Sequence, residues 1–143
     1  MDDKALIDIL LVEDNEGDVE LTKLAFEAAE VPVRIAVVNN GAEALEYLKQ
    51  QAVTGQAMPR LILLDINMPR MEGMEFLKIA KEDEMLKVIP VIMLTSSRAE
   101  KDIRESYRRH ANSYLLKPDS IENRTSMAKQ VHDFWITLAQ AAA

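Results

Sequence analysis

Short, mainly apolar segments recur along the chain, and polar or turn-forming residues follow each of them. An unbroken apolar run of four to seven residues suits a strand that is buried on both faces of a parallel sheet. The pattern therefore predicts five β-strands, at about 6–12, 33–38, 61–64, 91–94 and 112–116.

The intervening stretches carry apolar residues three or four positions apart, which is the spacing of an amphipathic helix. It predicts helices at about 15–30, 41–50, 73–84, 98–109 and 120–139, and 51–59 is interpreted as a surface loop. For the first helix, Asn15 and Asp18 offer N-cap side chains. The residues expected on its buried face are Leu21, Leu24, Ala25 and Ala28. The fourth helix shows only a thin apolar seam, formed by Ala99, Ile103 and Tyr107. Because strands and helices alternate, we expect right-handed crossovers and a doubly wound α/β sheet with helices on both faces.

The size and charge of the chain exclude several classes of protein. With 143 residues it is expected to form one domain, 1–143, without an output domain. A net charge of −7 argues against a nucleic-acid partner, and no apolar run is long enough to cross a membrane. There is no secretory signal and no cysteine, so we expect a cytoplasmic protein.

Chemically active side chains stand where four of the predicted strands end. They are Glu13 and Asp14, then Asp65, Thr95 and Lys117. A single aspartate at a strand end is most often a turn residue, but these five share one edge of a parallel sheet. Carboxylates gathered there would repel unless a cation joined them, and Mg²⁺ prefers such oxygen ligands. A lysine beside the metal suits a phosphoryl group.

The segments that carry these residues resemble the receiver domain of two-component response regulators over essentially the whole chain. The matching segments are 11–15 (Leu-Val-Glu-Asp-Asn), 63–73 (Leu-Leu-Asp-Ile-Asn-Met-Pro-Arg-Met-Glu-Gly), 90–96 (Pro-Val-Ile-Met-Leu-Thr-Ser) and 111–118 (Ala-Asn-Ser-Tyr-Leu-Leu-Lys-Pro). The resemblance implies a flavodoxin-like fold with strand order 2-1-3-4-5. The loop 51–59, Asn-Ser-Tyr at 112–114 and His-Asp-Phe-Trp at 132–135 resemble the single-domain regulators that partner phytochrome-type histidine kinases.

The resemblance also implies roles at the acidic strand ends. Asp65 would accept a phosphoryl group from a kinase phosphohistidine. Asp14 would bind Mg²⁺ directly and Glu13 through water, while Asp65 and the backbone carbonyl of Asn67 would complete the protein ligands.

Further roles follow from the same resemblance. Lys117 would pair with Asp65 and then with a phosphoryl oxygen, and its peptide bond to Pro118 would be cis. Thr95 would bind the phosphoryl group while Tyr114 turns inward, and Asn67 and Ser97 would tune the lifetime of the phosphorylated state. The family usually has glycine, which allows a positive φ, where this chain has His110.

The predicted last helix carries more aromatic surface than packing against the sheet requires. Its apolar stripe consists of Ile121, Ala128, Val131, Trp135 and Leu138, with Met127 and Phe134 beside it. Phe134 and Trp135 lie side by side, and exposed aromatic area often marks an interface. Simple burial of both rings is the alternative. The subfamily resemblance implies a homodimer through helix 4, strand 5 and helix 5, with Ile103 and Tyr107 as further contacts.

Two rival functions remain open. A haloacid-dehalogenase-type phosphatase also uses a strand-end aspartate and Mg²⁺, but its second acid would stand at the position of Asn67, which cannot transfer a proton in that way. A non-phosphorylated interaction module with the same fold is the other rival.

Overall fold

A computed structural model describes residues 7–66, 68 and 72–140. The five strands are β1 (Ile9–Val12), β2 (Ile35–Val38), β3 (Leu61–Leu64), β4 (Val91–Thr95) and β5 (Ser113–Leu116). The five α-helices are α1 (Glu16–Ala28), α2 (Gly41–Thr54), α3 (Gly73–Glu82), α4 (Glu100–Arg108) and α5 (Ile121–Val131), and a π-helical segment (His132–Leu138) continues α5. None of the helices in these ranges is long and apolar enough to cross a membrane.

The strands form one parallel sheet in the order β2-β1-β3-β4-β5. Val12 is level with Leu64, so the residues that follow β1 and β3 emerge at the same height on the sheet edge. The predicted doubly wound fold and its strand order are confirmed.

Two apolar clusters lie on opposite faces of the sheet, because successive strand residues point to opposite sides. Leu10 and Val12 join the cluster that contains the buried residues of α2 and α3, among them Leu48 and Phe76. The second cluster contains Ile9, Leu11, Ala25, Phe26, Ala128 and Val131. The helices α2 and α3 therefore cover one face, and α1 and α5 the other.

The segment 51–59 is not a loop throughout, since α2 continues to Thr54. Gln51 is buried, and its Nε2 donates a hydrogen bond of 3.1 Å to the carbonyl oxygen of Ala57. Gly55, with φ of 74°, ends the helix, and only residues beyond it match the predicted loop.

The buried faces of two helices differ from the predicted ones. In α1, Ala25 is buried as expected, but Leu21, Leu24 and Ala28 are exposed, and Thr22 and Phe26 point inward instead. At the C-terminal end, each turn of the π-helical segment contains an extra residue, which rotates the following side chains. The buried position after Val131 is consequently Ile136, five residues on, while Leu138 is 69% exposed.

Helix α4 buries Ser106 rather than the predicted seam of Ala99, Ile103 and Tyr107. Ser106 Oγ donates a hydrogen bond of 2.7 Å to the carbonyl oxygen of Asp102. Because the hydroxyl is satisfied within the helix, this small residue can lie against α3, and Tyr107 is left 49% exposed.

His110 ends α4 in the left-handed conformation, with φ of 71°. Its backbone N–H donates to the carbonyl of Tyr107, and that of Ala111 donates to the carbonyl of Ser106 at 2.9 Å. This is the hydrogen-bond pattern of a Schellman motif, which usually contains glycine at this position. A histidine therefore adopts the conformation that the family resemblance implies for glycine.

Candidate functional site

The register of the sheet brings the ends of β1 and β3 together. The backbone N–H of Asp65 donates to the carbonyl oxygen of Val12 at 3.1 Å, and that of Glu13 donates to Val38 at 3.0 Å. Both residues therefore extend the strand ladder by one step, and both are almost entirely buried. Their side chains start from rigid backbone rather than from a free loop.

Three carboxylates meet at this edge. Oxygen atoms of Glu13, Asp14 and Asp65 all lie within 4.8 Å of one another. The backbone N–H of Ile66 donates to Asp65 Oδ1 at 2.9 Å, and that of Asn15 donates to Glu13 Oε2 at 3.2 Å. Burial, reinforced by the nearby charge of Asp65, raises the pKa of Glu13, although a hydrogen bond from Lys117 opposes this shift. An all-oxygen, negatively charged group of this kind fits a hard divalent cation.

Lys117 supplies the positive charge next to these acids. Its Nζ lies 2.7 Å from Glu13 Oε1, 2.9 Å from Asp18 Oδ2 and 3.6 Å from Asp65 Oδ2, and its side chain is only 6% exposed. Burial alone lowers the pKa of Lys117, but the hydrogen bonds to Asp18 and Glu13 outweigh burial and raise that pKa. The ammonium is therefore permanently charged at neutral pH.

The peptide bond between Lys117 and Pro118 is trans, since no peptide bond of the described residues is cis. The prediction of a cis bond is wrong. Trans is the more stable isomer for a bond to proline, and here the contacts of the ammonium with three carboxylates hold Lys117 at the site.

Asp18 and Arg124 belong to this network, although the sequence did not indicate either as a site residue. Asp18 was interpreted as a helix cap, but Asn15 is the N-cap of α1, and its Oδ1 accepts from the backbone N–H of Asp18. The Asp18 carboxylate instead bonds Lys117 and, through Oδ1, Arg124 Nη2 at 3.2 Å. Arg124 Nε also donates to the carbonyl of Pro118 at 3.0 Å. The only feature of the sequence that could have indicated this network is that Arg124 is the one arginine in the predicted last helix.

Thr95, Ser97 and Tyr114 form a hydrogen-bonded group where β4 ends. Thr95 is buried, and its Oγ1 accepts from the backbone N–H of Ser97 at 3.3 Å. Ser97 Oγ donates to Asp102 Oδ2 at 2.6 Å, and the hydroxyl of Tyr114 donates to the carbonyl of Ser97 at 2.9 Å. Burial raises the pKa of Tyr114, which keeps this hydroxyl protonated. The threonine and the tyrosine are thus connected through Ser97.

Gly73 closes the connection between β3 and α3. Its backbone N–H donates to the carbonyl of Ile66 at 2.8 Å, and a Cβ at this position would lie 2.0 Å from the carbonyl oxygen of Asp65. Only glycine fits so close to the backbone of Asp65. Asn67, predicted as a metal ligand through its carbonyl and as a lifetime-tuning residue, lies outside the described residues.

The residues of the predicted dimer interface lie in α4 and in the π-helical segment. Phe134 is 52% exposed, and its ring contacts that of Trp135 edge to face at a centroid distance of 5.1 Å. Trp135 and Ile103 are half-buried, and Tyr107 is about half exposed. Simple burial of both aromatic rings is therefore not what the structure shows.

Comparison with known proteins agrees with this fold. The sequence profile of the response regulator receiver domain matches residues 9–129, so the chain belongs to the receiver-domain family of response regulators.

Among its relatives are phytochrome response regulators. The chain is 35% identical over 129 residues to response regulator Rcp1 of Synechocystis, a match that covers 90% of this chain and 88% of Rcp1. The crystal structure of Mn²⁺-bound Rcp1 superimposes with a TM-score of 0.82, at 34% identity, over 94% of this chain and 98% of that one. The phosphorylated cyanobacterial phytochrome response regulator RcpA gives a TM-score of 0.86 at 37% identity, over 96% of this chain and 99% of RcpA.

A relative that is named for a different process is also similar. The probable methanogenesis regulatory protein FilR2 of Methanothrix harundinacea is 39% identical over 128 residues, which cover 90% of this chain and 83% of FilR2. Family membership is therefore supported by several relatives, whose names point to different biological processes.

Proposed function

We propose that the chain is a phosphorylatable response regulator that accepts a phosphoryl group on Asp65 from the phosphohistidine of a phytochrome-type histidine kinase. The observation that carries the proposal is the cluster of Glu13, Asp14 and Asp65, with the buried ammonium of Lys117 beside it. The phytochrome response regulators among its relatives support the choice of kinase.

The two oxygens of Asp65 have different surroundings. Oδ1 accepts the backbone N–H of Ile66, whereas Oδ2 faces Lys117 Nζ at 3.6 Å. Oδ2 is therefore the oxygen that we assign to attack on phosphorus. A bond from Oδ2 to phosphorus forms while the bond from phosphorus to the histidine nitrogen breaks, and that nitrogen keeps the electron pair. Phosphoryl transfer of this kind depends mainly on alignment and charge neutralisation.

The donor set at this edge fits Mg²⁺. Asp14 and Asp65 would hold the ion directly, Glu13 through water, and the carbonyl of Asn67 would complete the protein ligands. When bound, the ion would neutralise the repulsion among the carboxylates and the charge of the phosphoryl oxygens. The Mn²⁺-bound structure of Rcp1 supports a divalent cation in this family.

The hydrogen bonds around Ser97 support a switching role for Thr95 and Tyr114. A phosphoryl group on Asp65 would draw the hydroxyl of Thr95, whose Oγ1 now accepts from the Ser97 N–H. Movement of Ser97 would release the hydroxyl of Tyr114, which is bonded to the Ser97 carbonyl. Ser97, together with Asn67, is also our candidate for tuning the lifetime of the phosphorylated state.

The exposed aromatic and apolar residues near the C-terminal end support a homodimer through α4, β5 and α5. Phe134 and, in α4, Tyr107 are both about half exposed, and exposed aromatic area of this kind often marks a contact surface.

Incubation with acetyl phosphate and Mg²⁺ tests the acceptor. The parent protein should acquire a hydroxylamine-labile phosphate, and Asp65→Asn should acquire none. Asp119→Asn, which changes an exposed aspartate in the same way, is the matched control and should label like the parent. If Asp65→Asn labels as well as the parent, the acceptor assignment is wrong, and turnover of a generic phosphomonoester would favour a phosphatase instead.

A further inference from the structure

The ammonium of Lys117 has three N–H donors, and two of them are already engaged. Glu13 Oε1 lies at 2.7 Å and Asp18 Oδ2 at 2.9 Å, both within the range of charge-assisted hydrogen bonds. Asp65 Oδ2, at 3.6 Å, is beyond that range. The third N–H of Lys117 is therefore available for a group on the Asp65 side of the ammonium.

This spacing suits a phosphoryl group better than the bare carboxylate. A phosphoryl group on Asp65 Oδ2 places its own oxygens farther out than Oδ2. One of them could accept the third N–H of Lys117 while Glu13 and Asp18 keep their bonds. The ammonium would not have to leave its present position, so the two acids that hold it determine where that donor points.

From this geometry we propose that Asp18 is a positioning residue, which holds Lys117 so that its free donor meets the phosphoryl group on Asp65. The inference rests on the proposed function and adds a residue to it. Glu13 also holds Lys117, but Glu13 belongs to the group of three acids that fits a cation, and Asp18 does not. Among the described acids that hold Lys117 within hydrogen-bond distance, Asp18 is therefore the one that lies outside the group fitting a cation.

Asp18 is itself fixed well enough to act in this way. Its Oδ1 accepts from Arg124 Nη2 at 3.2 Å, and Arg124 is anchored through Nε on the carbonyl of Pro118, the residue after Lys117. A closed set of contacts thus links α1, α5 and the end of β5. The same contacts suggest the competing explanation, in which Asp18 only ties α1 to α5.

Phosphorylation rates distinguish a positioning role from a structural tie. We expect Asp18→Ala to reduce the rate of phosphorylation by acetyl phosphate at saturating Mg²⁺ by about ten-fold, because a loosely held ammonium is misaligned for transfer. The Mg²⁺ concentration that gives half the maximal rate should not change. Asp18→Asn should be slowed less, because its amide oxygen can still accept from Lys117. Glu20→Gln, at an exposed acid on the same helix, should behave like the parent.

Arg124→Gln removes the tie between the helices but leaves the contact between Asp18 and Lys117. If Asp18 positions Lys117, Asp18→Ala slows phosphorylation much more than Arg124→Gln does, even where both variants lose similar thermal stability. Equal slowing by the two variants, or a parental rate for Asp18→Ala, would overturn the proposal.

A second measurement does not depend on phosphorylation. An ammonium held by buried carboxylates exchanges slowly with water, so we expect an observable ¹H–¹⁵N signal from Lys117 Nζ, assigned by its absence in Lys117→Met. This signal should be lost in Asp18→Ala and kept in Glu20→Gln. Its persistence in Asp18→Ala would show that Asp18 does not hold the lysine. A parent protein that never labels would instead refute the proposed function, whatever the signal shows.

Discussion

Replacing Gly73 with alanine should disturb both stability and the candidate site. The added Cβ would lie 2.0 Å from the carbonyl oxygen of Asp65 and 2.9 Å from Ile66 Cα. Since ordinary contact begins near 3.4 Å, the two segments must separate by about 1.4 Å. Both neighbours are backbone atoms, so no change of side-chain rotamer can relieve the clash.

The expected effect has two parts. Overpacking of a rigid region reduces the free energy of unfolding by about 1–3 kcal/mol. For a chain of this length that corresponds to a melting temperature lower by roughly 3–10 °C. Because a displacement of about 1 Å at a reacting group can slow a reaction by about 100-fold, labelling of Asp65 should slow by a similar factor.

Thermal unfolding and the initial rate of labelling by acetyl phosphate measure these two parts. Gly17→Ala in α1 is the matched control, since its nearest neighbour is the side-chain oxygen Asn15 Oδ1 at 3.2 Å, which needs to shift by only about 0.2 Å and can keep its capping hydrogen bond. It should keep the parental labelling rate and lose no stability. The rates are compared at a temperature at which circular dichroism shows all three proteins folded.

A variant Gly73→Ala with parental melting temperature and labelling rate would refute this reasoning. It would mean that the connection between β3 and α3 yields without moving Asp65. Loss of stability with a parental labelling rate would show instead that the shift is taken up by α3.

Three further predictions address the helix end, the acid response and the proposed dimer. His110→Gly should raise the free energy of unfolding, measured in urea titrations, by about 0.5–1 kcal/mol. The reason is that the strain of histidine in the left-handed conformation (φ of 71°) costs more free energy than the extra freedom of glycine in the unfolded chain. A loss of stability would contradict this. Burial raises the pKa of Asp18, but the hydrogen bond and charge of Lys117, followed by the charge and hydrogen bond of Arg124, outweigh it and leave that pKa below 3.8. The carboxylate therefore stabilises the fold above about pH 4 and loses this contribution as the pH falls through its lowered pKa. The difference in free energy of unfolding between the parent and Asp18→Asn should consequently shrink in acid. A difference that stays constant with pH would contradict this prediction. In sedimentation experiments with Mg²⁺ and acetyl phosphate present, the parent should be a dimer and Phe134→Ser a monomer. The melting temperature should change little, because the Phe134 side chain is 52% exposed. A monomeric parent would rule out the dimer.

The strands and the residues at their ends could be predicted from the sequence because both depend on local information. Every side chain of the run 61–64 is apolar, which is the pattern expected of a strand that is covered on both faces. Asp65 and Lys117 come directly after such runs, and parallel strands place their ends at one edge. The parallel arrangement of the strands was therefore enough to predict that these residues lie at the same edge of the sheet.

Tertiary packing decided the rest, for identifiable reasons. The apolar spacing of α1 was compatible with more than one buried face, and the sheet selected Phe26 rather than Leu24. The π-helical turn brought Ile136 inward, which a helix of regular period does not do. Asp18 contacts Lys117 and Arg124 from 99 and 106 positions away, so no local pattern could reveal that pairing. Apolar runs determine where the strands end, whereas contacts between distant charges depend on how the helices pack around them.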